Sequence, residues 1–241
     1  MRYAVLSDIH GNLEALDAVL ADAADRADAL LCLGDVVGYG ADPLACVERV
    51  AGRAAATIAG NHEHGVVGLL DLEWFNPYAR AAAEWTRERL DDDHLRYLAA
   101  LPLTAEVADA TLAHASPRHP EEWDYLLSAE DGFDAFPAFA TRLCFVGHTH
   151  VPGVWSLGSS GPEYLVGAIE LRLEHGRRYL VNVGSVGQPR DRDPRAAYAL
   201  WDVERGRLEI RRVPYEVERA QRKILTGGLP RLLSDRLARG A

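Results

Sequence analysis

The chain has 241 residues, 26 basic against 36 acidic side chains and a formal net charge of -10, with the two signs interspersed rather than segregated. That length fills one α/β domain and buries a substantial core, so a single domain over residues 1–241 is expected. An acidic surface does not steer polyanions, which disfavours nucleic acid as the main partner. The 3 cysteines, Cys32, Cys46 and Cys144, lie in apolar runs without C-x-x-C spacing and read as reduced core residues. No basic leader with an apolar core opens the chain, and no apolar run approaches the roughly 20 residues of a spanning helix. The expectation is a soluble, cytoplasmic protein without a membrane partner.

The first apolar run, Tyr3 to Leu6, hands over abruptly to Ser-Asp-Ile-His-Gly-Asn. This is a strand ending in polar groups, with Asp8 and His10 on one side of it because side chains alternate with period two. Asn12 then caps a helix. The unit repeats: Ala29 to Leu33 runs into Gly34-Asp35, and Asp42-Pro43 opens a second helix. Ala55 to Ala59 runs into Gly60-Asn61-His62-Glu63-His64. Such a β-α-β-α-β opening implies parallel strands whose carboxyl ends share a crevice, so the three polar clusters are expected to converge.

From Pro77 to Leu101 the pattern is helical, with Ala81, Trp85 and Leu90 read as one face. Leu103 to Val107 and Thr111 to Ala115 read as a hairpin, whose second strand exits at His114-Ala115-Ser116-Pro117. Residues 118–141, rich in acids and aromatics, read as a cap-like helical insertion over or beside the crevice. Leu143 to Val146 is a strand ending in Gly147-His148-Thr149-His150. Beyond Gly153 the short strands 154–156, 164–166, 179–183, 197–202 and 207–213 read as antiparallel. The tail, 216–241, reads as charged helices.

Collected from the strand ends, the candidate ligands are Asp8, His10, Asp35, Asn61, His62, His114, His148 and His150. Imidazole, carboxylate and amide oxygen without thiolate suit Mn²⁺, Fe²⁺, Zn²⁺, Ni²⁺ or Co²⁺ and argue against a structural zinc site. Even with His62 set aside, the remaining ligands exceed what one tetrahedral ion takes and fit two ions sharing a carboxylate. Paired divalent ions suit phosphoryl displacement, because they clamp the attacking and leaving oxygens and generate hydroxide near neutral pH.

The ordered set D-I-H, G-D-x-V, G-N-H-E, a histidine before Ser-Pro, and G-H-T-H resembles the calcineurin-like metallophosphoesterase superfamily. The segment Asn182 to Gln188 resembles its small bacterial and archaeal phosphodiesterase branch. The resemblance implies a four-layer α/β/β/α sandwich of two mixed β-sheets face to face between helices. It implies that Asp35 bridges two divalent ions, that Asp8, His10 and His150 hold one, and that Asn61, His114 and His148 hold the other. It implies His62 as the general acid, oriented by Glu63 or a backbone carbonyl, and Asn12 as a phosphoryl contact. The expected activity is hydrolysis of a small phosphodiester or phosphomonoester by metal-bound hydroxide. Small relatives are often homo-oligomers, which extends that expectation to this chain.

Relatives that serve as protein-binding scaffolds have lost the catalytic histidine; His62 and every ligand position stand here, so the enzyme is preferred to the scaffold. Of the histidines outside the motifs, His94 and His175 read as solvated, and His64 and His119 as incidental neighbours of the site. The aromatics of 118–141 read as ordinary packing in preference to a substrate wall. For Arg190, Arg192 and Arg195 a solvated face and a phosphate contact are balanced. The ester itself is not named by these motifs.

Overall fold

The computed structural model describes residues 1–166 and 169–241. The opening follows the repeated strand and helix unit: β1 (Arg2–Leu6), α1 (Leu13–Ala23), β2 (Ala29–Cys32), α2 (Pro43–Ala51), β3 (Ala54–Thr57) and α3 (Asn61–Val67). Two scaffold helices, α4 (Pro77–Arg87) and α5 (Asp92–Ala99), lead to β4 (Thr104–Val107) and β5 (Ala110–Ala113). A short helix α6 (Ala129–Ala135) precedes β6 (Leu143–Val146). Then come β7 (Gly153–Gly158), β8 (Gly161–Val166), β9 (Glu170–Arg172), β10 (Arg178–Asn182), β11 (Ala196–Asp202) and β12 (Arg207–Val213), and the tail forms α7 (Val217–Thr226) and α8 (Arg231–Leu237).

The strands make two six-stranded mixed sheets, in the orders β3-β2-β1-β11-β12-β9 and β4-β5-β6-β10-β7-β8. Period-two alternation separates the layers. Tyr3 and Val5 of β1 point between the sheets and meet Leu112, Phe145, Val181 and Trp201 in a central core. Ala4 and Leu6, on the other face of β1, pack against Leu16 and Val19 of α1 and Val47 of α2. On the far side, Cys144, Val146 and Leu180 pack against Ala135, Phe136 and Phe139. The result is the expected four-layer α/β/β/α sandwich. All three cysteines are buried and free.

The strands after Gly153 do not form one antiparallel run. β10 pairs in parallel with β6 while β7 pairs antiparallel with β10, and β11 crosses to the first sheet to lie antiparallel to β1. The strand β9 has no sequence signal, because only the middle residue of Glu170–Arg172 is even half-buried. In α4 the buried stripe is Ala79, Ala82, Ala83 and Thr86 rather than Ala81 and Trp85. Alanines let α4 approach both the main helical core and a cluster containing Leu233 of α8, while Trp85 stays half-buried and its indole N–H donates to the Gly227 carbonyl at 2.7 Å. Among the described residues, no helix is long and apolar enough to cross a membrane.

Candidate metal centre

The parallel strands of both sheets end at the same edge, and their polar clusters meet across the seam between the sheets. β1, β2 and β3 deliver Asp8, His10, Asp35, Asn61 and His62; β5 and β6 deliver His114, His148 and His150. Asp8 stitches the sheets together. Its carbonyl accepts from Gly187 N–H at 2.9 Å and from the Ser185 hydroxyl at 2.8 Å, and its Oδ2 accepts from His148 N–H at 3.0 Å. Two glycines are required here by close approach. A Cβ on Gly147 would lie 2.4 Å from Asp8 Oδ2, and one on Gly60 would lie 2.2 Å from Asp35 Oδ1.

The ligand atoms form three overlapping buried groups, each spanning no more than 4.8 Å: Asp8, His10 and His150; His10, Asp35 and His62; Asp35, His114 and His148. Asp35 lies between the two sides, with Oδ2 at 3.6 Å from His10 Nε2 and 3.3 Å from His114 Nε2. His150 Nε2 is 3.2 Å from Asp8 Oδ1. The structure also brings His62 within metal-sized reach of His10 and Asp35, although the resemblance assigns it acid chemistry rather than ligation.

The rings are aimed by their far nitrogens. His10 Nδ1 is 3.1 Å from the Val37 carbonyl, His114 Nδ1 is 2.7 Å from that of Leu33, and His150 Nδ1 is 2.6 Å from that of Gln188. A carbonyl only accepts, so each Nδ1 carries a proton and each Nε2 is turned inward. Meanwhile Asp8 Oδ1, Asn61 Oδ1, His114 Nε2 and His148 Nε2 are buried and have no hydrogen-bond partner. Buried polar atoms are rarely left unpaired, and three of these lie together: His114 Nε2 is 3.9 Å from Asp8 Oδ1 and shares with Asp35 and His148 a group no more than 4.8 Å across. Divalent cations would satisfy such atoms, so the donor set fits metal.

The electrostatics agree. Burial alone would raise the carboxyl of Asp8, yet the imidazoles of His150 and His114 hold it below the usual carboxylate range. Asp35, equally buried, is held well below it by His114 and His62. Desolvation lowers His10 and His150 and takes His62 to about 4 and His148 to about 3, the direction that ligation requires. His114 differs: desolvation opposes its charge, but Asp35 and Asp8 together raise it to about 10. The proton there answers the pull of two buried carboxylates for a cation.

Glu63 does not orient the His62 ring. It is fully buried, and its carboxylate accepts the backbone N–H groups of Asp35 at 2.7 Å, Val36 at 2.7 Å, Val37 at 3.2 Å and Gly60 at 2.7 Å. It therefore clamps the Asp35 loop to the start of α3. Burial, with the nearby Asp35 charge, pushes Glu63 up to about 7. His62 is held instead by its neighbours: its N–H donates to Asp35 Oδ1 at 2.9 Å, and its ring packs on His10, Tyr39 and Phe75 at centroid distances of 4.8, 4.6 and 5.0 Å. Asn12 is likewise engaged by the backbone, its side-chain oxygen capping α1 by accepting Ala15 N–H and its amide donating to the Gly187 carbonyl.

A cavity of about 700 Å³ opens over this floor and is lined by Asp35, Asn61, His62, His148 and His150 at its base. The 118–141 segment divides in two. Phe133, Phe136 and Phe139 pack against the second sheet, whereas Trp123 and Tyr125 line the cavity. Arg190 also lines it, with Nη2 at 3.2 Å from Gln188 Oε1, while Arg195 pairs with Asp193 and Arg192 is exposed. His64 meets the Trp123 ring edge-on at 5.2 Å, His119 and His175 are exposed, and His94 is not free but bonded to the capping Asp91. Tyr39 was missed as a site residue; its only signal was an aromatic set between two glycines, Gly38 and Gly40.

The family model for the calcineurin-like phosphoesterase superfamily domain matches residues 1–206. A metallophosphoesterase from Sphaerobacter thermophilus, known from its crystal structure, is 44% identical, with a TM-score of 0.87 over 100% of this chain and 99% of that one. The uncharacterized protein MJ0912 of Methanocaldococcus jannaschii is 40% identical over 244 residues, 98% of this chain and 97% of that protein. The hypothetical protein PH1004 of Pyrococcus horikoshii OT3 shares the fold at 20% identity, with a TM-score of 0.78 over 100% of this chain and 98% of that one.

Proposed function

Because the chain belongs to the calcineurin-like phosphoesterase superfamily, we propose that it is a binuclear metal-dependent phosphoesterase acting on a small phosphodiester or phosphomonoester. The observation that carries this reading is the cluster of buried carboxylates and imidazoles from both sheets, several of their atoms unpartnered, whose members Asp35, His62, His148 and His150 line one cleft. Asp8, His10 and His150 would hold one ion and Asn61, His114 and His148 the other, with Asp35 lying between the two sets. When bound, the two ions supply Lewis acidity to the phosphoryl oxygens and lower the pKa of water toward neutrality.

The chain's own residues do the rest. Nδ1–H donation to backbone carbonyls keeps His10, His114 and His150 in the ligating tautomer. His62, on the cleft floor, is the general acid for the leaving oxygen. Burial lowers its ring to about 4, and the ester's negative charge beside it would favour the protonated form that gives the proton. Arg190 is the cation lining the cleft and is placed to pair with a phosphoryl oxygen.

The test is hydrolysis of bis-p-nitrophenyl phosphate and p-nitrophenyl phosphate by the Mn²⁺-loaded protein, with turnover abolished by a chelator. No metal-dependent turnover on either, or on a nucleotide panel, defeats the reading. His62→Ala should lower kcat by about 100- to 10,000-fold, with the larger losses on poorer leaving groups. A uniform loss across leaving groups would reject the acid role.

A further inference from the structure

The cleft floor has the residues for phosphoryl chemistry, but its walls are built from other materials. One wall is the stretch from Glu121 to Tyr125, between β5 and α6; the other contains Trp74 and Phe75, between α3 and α4. Trp74 is 83% exposed and Tyr125 50% exposed, and both line the cavity. Large rings left in water beside a concave floor gain by covering a ligand. Tyr125 stacks on His148 with centroids 4.0 Å apart and planes at 29°, and the turn carrying Trp74 is capped by Asp71, which accepts from Glu73 N–H at 2.9 Å.

The charges on these walls run against a polyanion. Glu121, Glu122 and Asp124 line the same cavity, and among its described lining residues Arg190 is the only lysine or arginine. Paired metals and one arginine accommodate a single phosphoryl group. Further phosphates extending from it would face the carboxylates, where like charges repel. A neutral planar group attached to that phosphoryl group meets the rings instead, and its polar edge meets carboxylate acceptors.

We propose that the cleft contains a stacking subsite, formed by Trp74 and Tyr125, for a neutral planar aromatic group of the ester, and that Glu121, Glu122 and Asp124 select against esters carrying additional phosphates. The phosphoesterase reading supplies the position of the phosphoryl group, but the stacking subsite has its own readout. A nucleobase and a simple aryl ring share the required chemistry.

Calorimetric titration of the metal-free protein with adenosine, ribose and benzyl alcohol separates them. Adenosine should bind at least about 10-fold more tightly than ribose, and Trp74→Ala and Tyr125→Ala should each weaken it by about 5- to 150-fold, the range of one base–aromatic stack. Benzyl alcohol binding as well as adenosine would identify an aryl site; binding no better than ribose would identify a nucleobase site. Equal affinity for adenosine, benzyl alcohol and ribose, or unchanged adenosine affinity in both variants, overturns the subsite.

With Mn²⁺ loaded, the ratio of kcat/KM for adenosine 5′-(methyl phosphate) over ethyl methyl phosphate, both with alkoxide leaving groups, should fall about 10-fold in each variant. Adenosine binding without turnover of any ester leaves the subsite standing and removes the phosphoesterase reading. Turnover with no preference between the two esters removes the subsite and leaves that reading. For the carboxylates, the combined Glu121→Gln, Glu122→Gln, Asp124→Asn protein should bind ADP relative to AMP about 10-fold better than the wild type does. An unchanged ratio of inhibition constants rejects the charge selection.

Discussion

Asp8, His10, Asp35, His148 and His150 have φ of 54°, 50°, 50°, 64° and 62°, in the left-handed region that side-chain-bearing residues avoid. Each such residue costs about 1–3 kcal/mol and persists only where surrounding bonds over-determine it. Glu63 is one source of that determination. With a carboxamide, Glu63→Gln retains one accepting oxygen for four backbone donors, so stability should fall by about 3 kcal/mol. Mn²⁺ affinity measured by calorimetry should fall about 10- to 100-fold, as for other residues that orient a ligand. Unchanged metal affinity would mean that the clamp is only structural. The candidate ligands were legible because each closes a strand with an acid, an amide or an imidazole. The work of Glu63 was not, because its partners include Asp35, Val36 and Val37, 26 to 28 residues away.

At the scale of elements, α1 is tied to the first sheet by Asp22, whose carboxylate accepts from Tyr198 of β11 at 2.7 Å and from Arg211 Nε of β12 at 2.7 Å. The Arg211 hydrogen bond is the main reason that Asp22 lies below its ordinary value of 3.8. A depressed folded-state pKa adds stability that is present above the unfolded value and disappears as pH falls through the folded one. Wild type should therefore exceed Asp22→Asn by about 1–2 kcal/mol at pH 7. The gap should close below pH 3.8. Urea unfolding at both pH values checks this, and a gap independent of pH would assign the effect to packing. Helices and strands with strong periodicity were readable from the chain. The α4 face and β9 were not, because what they pack against comes from the tail and from β12.

Across the whole molecule, two sheets face each other and place their buried carboxylates and imidazoles in one seam. Cations that bind there stabilise the native state by linkage, about 2.7 kcal/mol at 100 times Kd. For a chain of this size that raises Tm by about 5–10 °C. Calorimetric scans with Mn²⁺ and with a chelator should show the difference, and it should shrink in Asp8→Asn. Identical scans would mean that the seam does not hold metal in the folded protein.

The chain by itself determined the chemistry: which groups close each strand, that they suit divalent ions, and where the repeated strand and helix units lie. These are local patterns with periods of two and 3.6 residues and polar residues at fixed offsets. Tertiary structure alone decided that β11 lies beside β1, pairing Val5 with Ala199, and that β10 joins β6. Those pairings depend on hydrogen bonds between strands far apart in the chain, which no short window contains. The same long-range packing brought Trp74 and Tyr125 to one cavity, and so decided what the site can enclose.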